Sequence, residues 1–163
     1  MRLVLAKEAH IPQLVEVSIA AFHSDRAVGG SGTDGPPEYE SEEWHTDMMN
    51  QGHLITALEG ENIVGGALLF RDDSAPDFLY IGRIFIDPAL FGKGYGIRLM
   101  ELIESSNPDI RLFCLDTPVW NIRTNRFYQK LGYEETRRDD EMVYYRKRRQ
   151  TASARINQIP SAP

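Results

Sequence analysis

The stretch from Ile84 to Met100 constrains the fold most, because it joins an apolar strand pattern to a helix pattern through a glycine-rich turn. The apolar run 84–86 ends at Asp87-Pro88, and three glycines then follow on alternate positions: Gly92, Gly94 and Gly96. Glycines let a ligand approach the backbone closely. The first turn of a helix also offers free N–H groups and a positive dipole end. The stretch therefore predicts either an anion site, most often for phosphate, or a merely tight turn.

The length and composition predict one globular domain. The chain has 163 residues, of which 42% are hydrophobic and 26% charged. No apolar run approaches the roughly 18 residues of a membrane span, and we see no signal-peptide pattern at the N-terminus. The single cysteine, Cys114, permits no internal disulfide, so we expect a reducing compartment such as the cytoplasm. The four histidines lack the spacing of metal ligands, so we expect no metal site.

The net charge of −6 is unevenly distributed along the chain. Five cations and no acid follow residue 145, which leaves −11 on the first 145 residues and argues against nucleic-acid binding. Residues 24–47 contain one cation, Arg26, and seven acids: Asp25, Asp34, Glu38, Glu40, Glu42, Glu43 and Asp47. Two interpretations of this acidic segment stay open. It is either a solvated helix surface or a rim that attracts a cationic substrate.

Hydrophobic periodicity and turn residues predict an ordered series of elements. They are a strand over 2–6, a helix over 11–22, a second helix over 38–50, a hairpin of strands 53–59 and 63–70, a strand over 78–86, a helix from the glycine turn to Asn107-Pro108, a strand over 110–115 broken by Thr117-Pro118, a helix over 121–131, and a last hairpin over 133–138 and 142–147. Gly82 inside the strand 78–86 predicts a bulge or a close approach to the backbone. We expect the basic, polar tail 148–163 to be loose.

Two of these strands, ending at Ile86 and Asp116, are predicted to be parallel, and ligands bind just outside such strand ends. The glycine turn, Asp116 and the start of the helix at Asn121 should therefore converge. Asn121, Asn125 and Tyr128 have the spacing of one helix face. Tyr128 is either a surface aromatic residue or a phenol that donates a proton. Asp116 is either a loop or cap carboxylate or a catalytic one.

Taken in order, the features resemble the GCN5-related N-acetyltransferase (GNAT) superfamily over residues 1–147. Three stretches carry the resemblance: Phe91-Gly92-Lys93-Gly94-Tyr95-Gly96 after the strand, like the family's pyrophosphate loop; Asn121 to Tyr128, like the helix with a coenzyme-contacting Asn and a catalytic Tyr; and Gln129-Lys130-Leu131-Gly132-Tyr133, like the segment that closes the fold. The glycine motif alone is weak. The three motifs together, at these distances, are strong.

The resemblance implies an α/β fold, with a mostly antiparallel mixed sheet, a central pair of parallel, splayed strands, and flanking helices. It implies acetyl transfer from acetyl-CoA to a primary amine, which attacks the thioester directly. The coenzyme would contact Ile84, Phe85, Ile86, Gly92, Lys93, Gly94, Tyr95, Gly96, Ile97, Asn121 and Tyr128. Tyr128 would protonate the departing thiolate.

Two positions depart from the family pattern. Phe91 stands where the family usually has Gln or Arg, but because backbone N–H groups do most of the phosphate binding, we expect the site to survive. Gly82 stands where many members carry a catalytic Glu. Other members place an acid five residues before the Asn, and Asp116 matches that position. The resemblance thus implies Asp116 as the general base, directly or through water.

The sequence leaves two alternative functions open. Gly92-x-Gly94 followed by Asp116 resembles the fingerprint of a dinucleotide-dependent oxidoreductase, although Ile97 occupies the third glycine position. The second rival is a non-catalytic acyl-CoA-binding or interaction module of the same fold. For the enzyme, we expect a small cationic amine or a peptide amine as acceptor, neither nucleic-acid nor membrane binding, and a monomer or homodimer.

Overall fold

A computed structural model describes residues 1–150 of the chain. The predicted tail therefore lies mostly outside the described residues. The elements are β1 (Arg2–Leu5), α1 (Ile11–His23), α2 (Glu42–Asn50), β2 (Leu54–Glu59), β3 (Asn62–Asp72), β4 (Ala75–Ile86), α3 (Tyr95–Ser105), β5 (Leu112–Pro118), α4 (Ile122–Lys130), β6 (Glu134–Arg138) and β7 (Met142–Arg148). Within this part of the chain, no helix has the length and apolar character that crossing a membrane requires.

The strands of residues 1–150 form one sheet in the order β1-β2-β3-β4-β5-β7-β6. Neighbouring strands are antiparallel except β4 and β5, which run parallel. A parallel pair needs a crossover between its strands, and α3 lies in that crossover. The predicted fold class, a mostly antiparallel sheet with one central parallel pair and flanking helices, is confirmed.

The helices cover both faces of the sheet, which creates two hydrophobic cores. Leu99, Met100 and Ile103 of α3 pack with Tyr128 of α4 against one face. Apolar residues of α1 pack against the other face and contact Phe85 of β4: Ile11, Leu14, Val15, Val17 and Ala21. The strand β4 therefore contributes side chains to both cores.

Several predicted boundaries differ from the structure, and two of the differences have clear local reasons. Helix α2 begins at Glu42 rather than near Glu38, because the Ser41 hydroxyl accepts a hydrogen bond from the Trp44 N–H at 3.1 Å and caps the helix. Strand β5 does not break after Asp116 but continues to Pro118, since its last residues pair with β7. Pairing with a neighbouring strand outweighs the local break that a Thr-Pro sequence favours.

The end of β7 is anchored to the crossover. The Arg149 guanidinium donates hydrogen bonds to the main-chain oxygens of Glu104, Asn107 and Ile110, at 2.6, 2.9 and 2.8 Å. These carbonyls lie in the last turn of α3 and in the segment after it, where backbone acceptors lack helical partners. At least Arg148 and Arg149 of the basic segment thus belong to the folded domain.

The parallel strands separate toward their C-terminal ends. In the described chain, Phe78, Leu79 and Tyr80 of β4 pair with residues 112–114 of β5, and the pairing then stops. From there to Ile86, the edge of β4 that faces β5 has no strand partner among residues 1–150. This opening between the two strands determines where a ligand can reach the backbone.

Gly82 lies at a bulge beside this opening, which confirms the predicted bulge. The register of β4 on β3 shifts there: Ile81 pairs with Leu69, whereas Arg83 pairs with Leu68. A Cβ atom at Gly82 would lie 2.5 Å from Cε2 of Phe70, so the ring of Phe70 approaches this backbone closely. A side chain at position 82, such as the glutamate that many members of the resembled family carry here, would therefore require the Phe70 ring to move.

We predict that Gly82→Ala destabilises the protein by about 1–3 kcal/mol, because the added methyl group overlaps the Phe70 ring. Urea unfolding measures the loss. In a Phe70→Leu background, the same substitution should lower the free energy of unfolding clearly less, because Leu has no ring atom at that position. Equal losses in both backgrounds would contradict the proposed overlap.

Candidate active site

A cavity of about 420 Å³ lies between the end of β4, the glycine turn and α4. It is lined by Ala21, Phe22, Asp25, Ile84, Phe85, Ile86, Leu90, Phe91, Gly92, Gly94, Tyr95, Gly96, Ile97, Arg123, Thr124, Phe127, Tyr128 and Lys130. Most of the predicted coenzyme contacts are among these residues. The predicted contacts Lys93 and Asn121 are not in the lining, and neither is the predicted base Asp116.

The glycine turn leaves the N-terminus of α3 open to the cavity. Gly94 occupies the N-cap position with φ +80°, and Gly92 also has a left-handed φ of +75°. A Cβ atom at either glycine would meet nothing within 4 Å, so both face free space. Gly96 has a packing role, since its Cβ position lies 3.3 Å from the Phe127 ring. Free N–H groups and the helix dipole make this turn suitable for an anion.

The unpaired end of β4 forms one wall of the cavity. Ile84, Phe85 and Ile86 all line it, on the edge of the strand that β5 no longer covers. Backbone N–H and C=O groups at such an edge need hydrogen-bond partners. An extended chain with amide groups could pair with them as an added strand would.

Helix α4 presents a different set of side chains to the cavity than the sequence predicts. Asn121 is buried and caps the helix, with its Oδ1 atom accepting the Thr124 N–H at 3.2 Å. Asn125 is bound to the Pro118 and Asn121 carbonyls and to the Tyr145 hydroxyl. Thr124 and Tyr128, one turn apart, line the cavity instead. Among the three predicted face residues, Tyr128 is the one at the ligand space.

Tyr128 is 7% exposed and packs against the rings of Tyr133 and Tyr145. Burial raises the pKa of its phenol, and the nearby charges of Asp116 and Asp25 raise that pKa further. The phenol consequently keeps its proton throughout the neutral pH range. It can donate that proton to a group that gains negative charge in the cavity.

Asp116 lies next to the cavity, on the side of the sheet that faces away from α4. The Tyr80 hydroxyl donates a hydrogen bond to its Oδ2 atom across the opening between β4 and β5. Burial and the adjacent Asp116 carboxylate raise the pKa of Tyr80, so this hydroxyl remains a donor. The carboxylate is thus fixed at the point where the strands separate.

Asp25, Phe91 and Arg123 form a three-residue clasp in the lining of the cavity. The Arg123 guanidinium lies 4.9 Å from the ring centroid of Phe91 and donates hydrogen bonds to Asp25 Oδ1 at 2.5 Å and Ser24 Oγ at 3.0 Å. Asp25 is 17% exposed and Arg123 34% exposed, so solvent screens this pair less than a surface pair. The clasp joins the end of α1, the glycine turn and α4. The unusual Phe91 of the turn is one of its members.

Asp25, Arg123 and Thr124 are cavity residues that the sequence analysis does not predict. Asp25 lies about 100 positions from Arg123 in the chain, so no local pattern connects them. The position of Thr124 at the cavity could have been predicted from the sequence, because Thr124 precedes Tyr128 by one helical turn. Within residues 1–150, no three His, Cys, Asp or Glu side chains come together as a metal site.

A comparison with known protein families identifies the family of this chain. The model of the acetyltransferase (GNAT) family matches residues 18–133, which is more than half of the chain and includes the glycine turn, Asp116 and α4. The chain belongs to the GNAT acetyltransferase family. The family predicted from the motifs is therefore confirmed, and with it the general activity of acyl transfer from acetyl-CoA.

Solved structures share the fold at low sequence identity. PaiA N-acetyltransferase from Thermoplasma acidophilum, determined in complex with coenzyme A, is 16% identical, with a TM-score of 0.76 over 91% of this chain and 98% of its own. A GNAT family acetyltransferase from Streptococcus agalactiae is 17% identical, with a TM-score of 0.79 over 92% and 96%. An acetyltransferase from Thermus thermophilus is 14% identical, with a TM-score of 0.74 over 91% and 97%. Curated proteins give no significant match.

We predict that Gly94→Glu weakens acetyl-CoA binding by more than about 100-fold, because a carboxylate would stand at the anion site on the α3 N-terminus. Isothermal titration calorimetry measures the affinity. Gly52→Glu is the matched control, since Gly52 also has a left-handed φ of +77° and open space at its Cβ position but lies outside the cavity lining. Normal acetyl-CoA affinity of Gly94→Glu would refute the anion site.

We predict that Asp25→Asn and Arg123→Gln each speed the release of acetyl-CoA about three- to ten-fold, because either change opens the clasp. Stopped-flow displacement measures the off-rate. The double variant should release the coenzyme no faster than the faster single variant, since both remove the same contact. Arg138→Gln, which breaks the exposed pair with Glu135, is the control. Unchanged off-rates in both single variants would contradict the clasp.

Proposed function

We propose that this acetyltransferase transfers an acetyl group from acetyl-CoA to a primary amine by direct attack on the thioester. One observation supports it above all others. A single cavity joins the glycine turn, the unpaired edge of β4 and the Tyr128 phenol. These are an anion site, a backbone edge for an extended amide chain, and a proton donor, in the order in which coenzyme A presents its diphosphate, its pantetheine arm and its sulfur.

In this proposal, the diphosphate binds N–H groups of the turn from Gly92 to Ile97, with Lys93 at the rim. The pantetheine amides pair with the backbone of Ile84, Phe85 and Ile86. PaiA N-acetyltransferase, a protein of the same fold, was solved in complex with coenzyme A, which supports a coenzyme site in this chain. Asn121 contributes by capping α4, which positions Thr124 and Tyr128 along the coenzyme.

The reaction forms a C–N bond and breaks a C–S bond. The lone pair of the neutral amine attacks the thioester carbonyl carbon, and the thiolate leaves as the carbonyl reforms. The Tyr128 phenol gives its proton to the departing sulfur, while the new ammonium group loses a proton to a base. The direct route is favoured because no Ser or Cys with an adjacent base lines the cavity in the described chain.

Asp116 is the proposed base. Its fixed position at the strand opening, with the Tyr80 hydroxyl on one carboxylate oxygen, leaves the other oxygen available to an amine or to a relay water. The Asp116 charge raises the pKa of Tyr128, which supports a location of the carboxylate near the phenol. Tyr80 is a positioning residue, since it holds the carboxylate and donates to it. An acid on β5 rather than on β4 is also supported by the close approach of the Phe70 ring to the backbone at Gly82.

The first experiment mixes the protein with acetyl-CoA and a panel of primary amines and follows release of the free thiol. Thiol release that depends on an amine supports the enzyme. Tight acetyl-CoA binding without release for any amine supports the non-catalytic acyl-CoA-binding alternative.

The single Cys114 also supports a reducing compartment such as the cytoplasm as the site of action.

We predict that Tyr128→Phe lowers kcat about 100-fold while acetyl-CoA affinity changes less than about three-fold, because the change removes the proton donor and keeps the ring. Steady-state kinetics and calorimetry measure the two quantities. Tyr133→Phe is the control, since Tyr133 is a buried neighbour whose hydroxyl binds Glu104. An unchanged kcat would remove Tyr128 from the mechanism.

A further inference from the structure

Arg83 of β4 is a partly buried cation that has no acidic partner in the described part of the chain. Its guanidinium lies 4.7 Å from the ring centroid of Trp44 and 5.6 Å from that of Phe22, so aromatic rings fix its position. One nitrogen, Nη2, donates to the Pro37 carbonyl at 2.9 Å. The other, Nη1, is buried and has no hydrogen-bond partner within residues 1–150, and no carboxylate of that part of the chain lies within 4.0 Å of the guanidinium.

A second unpartnered nitrogen lies close by, in His45. This ring is fully buried, and its Nδ1 donates to the Ser41 carbonyl at 2.7 Å, so its Nε2 carries a lone pair. That Nε2 atom has no partner among the described residues. Burial lowers the pKa of His45, and the charge of Arg83 lowers it further. The ring is consequently neutral and cannot compensate the charge of Arg83.

A buried cation is ordinarily paired, because removing it from water is costly and a partner recovers part of that cost. Burial lowers the pKa of Arg83 to about 10, which still leaves the guanidinium charged at neutral pH. Buried donors are also ordinarily hydrogen-bonded. The charge and the free donor together make this position complementary to an anion, and a carboxylate is the group that a guanidinium binds with the best geometry.

The bulge at Gly82 places Arg83 on the face of the sheet that carries Tyr80. Arg83 pairs with Leu68 and Tyr80 pairs with Phe70. Leu68 and Phe70 are two positions apart in β3 and both pack into the core beneath α1 and α2. Cross-strand partners share a face, so Arg83 and Tyr80 do as well. Without the extra residue, Arg83 would point toward α3 and α4.

Arg83 and Asp116 are not in the cavity lining, but both lie beside it on the face of the sheet beneath α1 and α2. Asp116 is bound by the Tyr80 hydroxyl on the same face of the sheet. Arg83 directly precedes Ile84 in β4, and its neighbour Phe22 lines the cavity together with Ile84. This face of the sheet thus carries a negative charge at the strand opening and a positive charge beside the cavity residues Phe22 and Ile84.

We propose that the amine acceptor also carries a carboxylate, which pairs with Arg83 while its ammonium group lies toward Asp116. This inference rests on the proposed function and names its substrate class: amines of amino-acid type rather than purely cationic amines. A polyamine or other acceptor without an acid group would bring a second positive charge toward Arg83.

The decisive experiment compares acceptors that differ only in the carboxylate. Each of several amino acids and β-alanine is assayed beside its own amide, with thiol release as the readout. The acid form should have a kcat/KM about 10- to 100-fold higher than the amide, the range expected for a buried charge-assisted hydrogen bond. Equal or higher kcat/KM for the amides would overturn the inference and leave the acetyltransferase intact.

Variants of Arg83 test whether this residue causes the preference for the acid form of the acceptor. In Arg83→Met, the ratio of acid to amide kcat/KM should fall to near one, and Arg83→Lys should restore part of it. Arg71→Met is the control, because Arg71 is bound to Asp109 and Asn107 on an exposed surface. The comparison on the unaltered protein stands even where Arg83→Met does not fold. A ratio unchanged in folded Arg83→Met would exclude Arg83 as the carboxylate partner.

Direct binding separates this inference from the proposed function. Calorimetry on the coenzyme A-loaded protein should show tighter binding of the amino acid than of its amide, and the difference should vanish in Arg83→Met. If such binding occurs but no amine is acetylated, the proposed reaction fails and the anion site stands. If amines are acetylated but neither form is preferred, the anion site fails and the reaction stands.

Discussion

The separation of β4 from β5 is the constraint on which the rest of the structure depends. Their pairing ends after three residue pairs in the described chain, at Tyr80 and Cys114. The sheet stays intact because each strand keeps its other neighbour, β3 for β4 and β7 for β5. Backbone polar groups on the freed edge must find partners. The glycine turn and α4 are placed where a ligand with amides and phosphates can provide them.

The bulge at Gly82 links this opening to both faces of the sheet. Before the bulge, Leu79 and Ile81 pack beneath α3 and α4, and after it Ile84 and Ile86 do the same. Without the bulge, strict alternation would put Ile81 and Ile84 on opposite faces. The extra residue therefore keeps the cavity wall apolar and turns Arg83 toward α1 and α2. The Phe70 ring occupies the space that a side chain at position 82 would need.

The sequence predicts those features that depend on neighbouring residues. The element order, the glycine turn and the bulge at Gly82 follow from periodicity and from local backbone requirements. The use of Asn121 as a helix cap was not predicted, because an Asn before a helix serves equally as a cap or a ligand contact until its burial is known. The clasp of Asp25 with Arg123 joins residues far apart in the chain, and only the tertiary fold brings them together.

The acidic segment shows why counting charges does not identify the acceptor. Six of its seven acids are exposed, and the seventh, Asp25, is already paired with Arg123. Exposed charges are screened within about 10 Å at 0.1 M salt, whereas a charge held among aromatic rings is screened much less. Arg83 is such a charge, held between Phe22 and Trp44 next to the cavity residue Ile84. One enclosed cation can therefore discriminate between acceptors more strongly than a larger number of solvated acids.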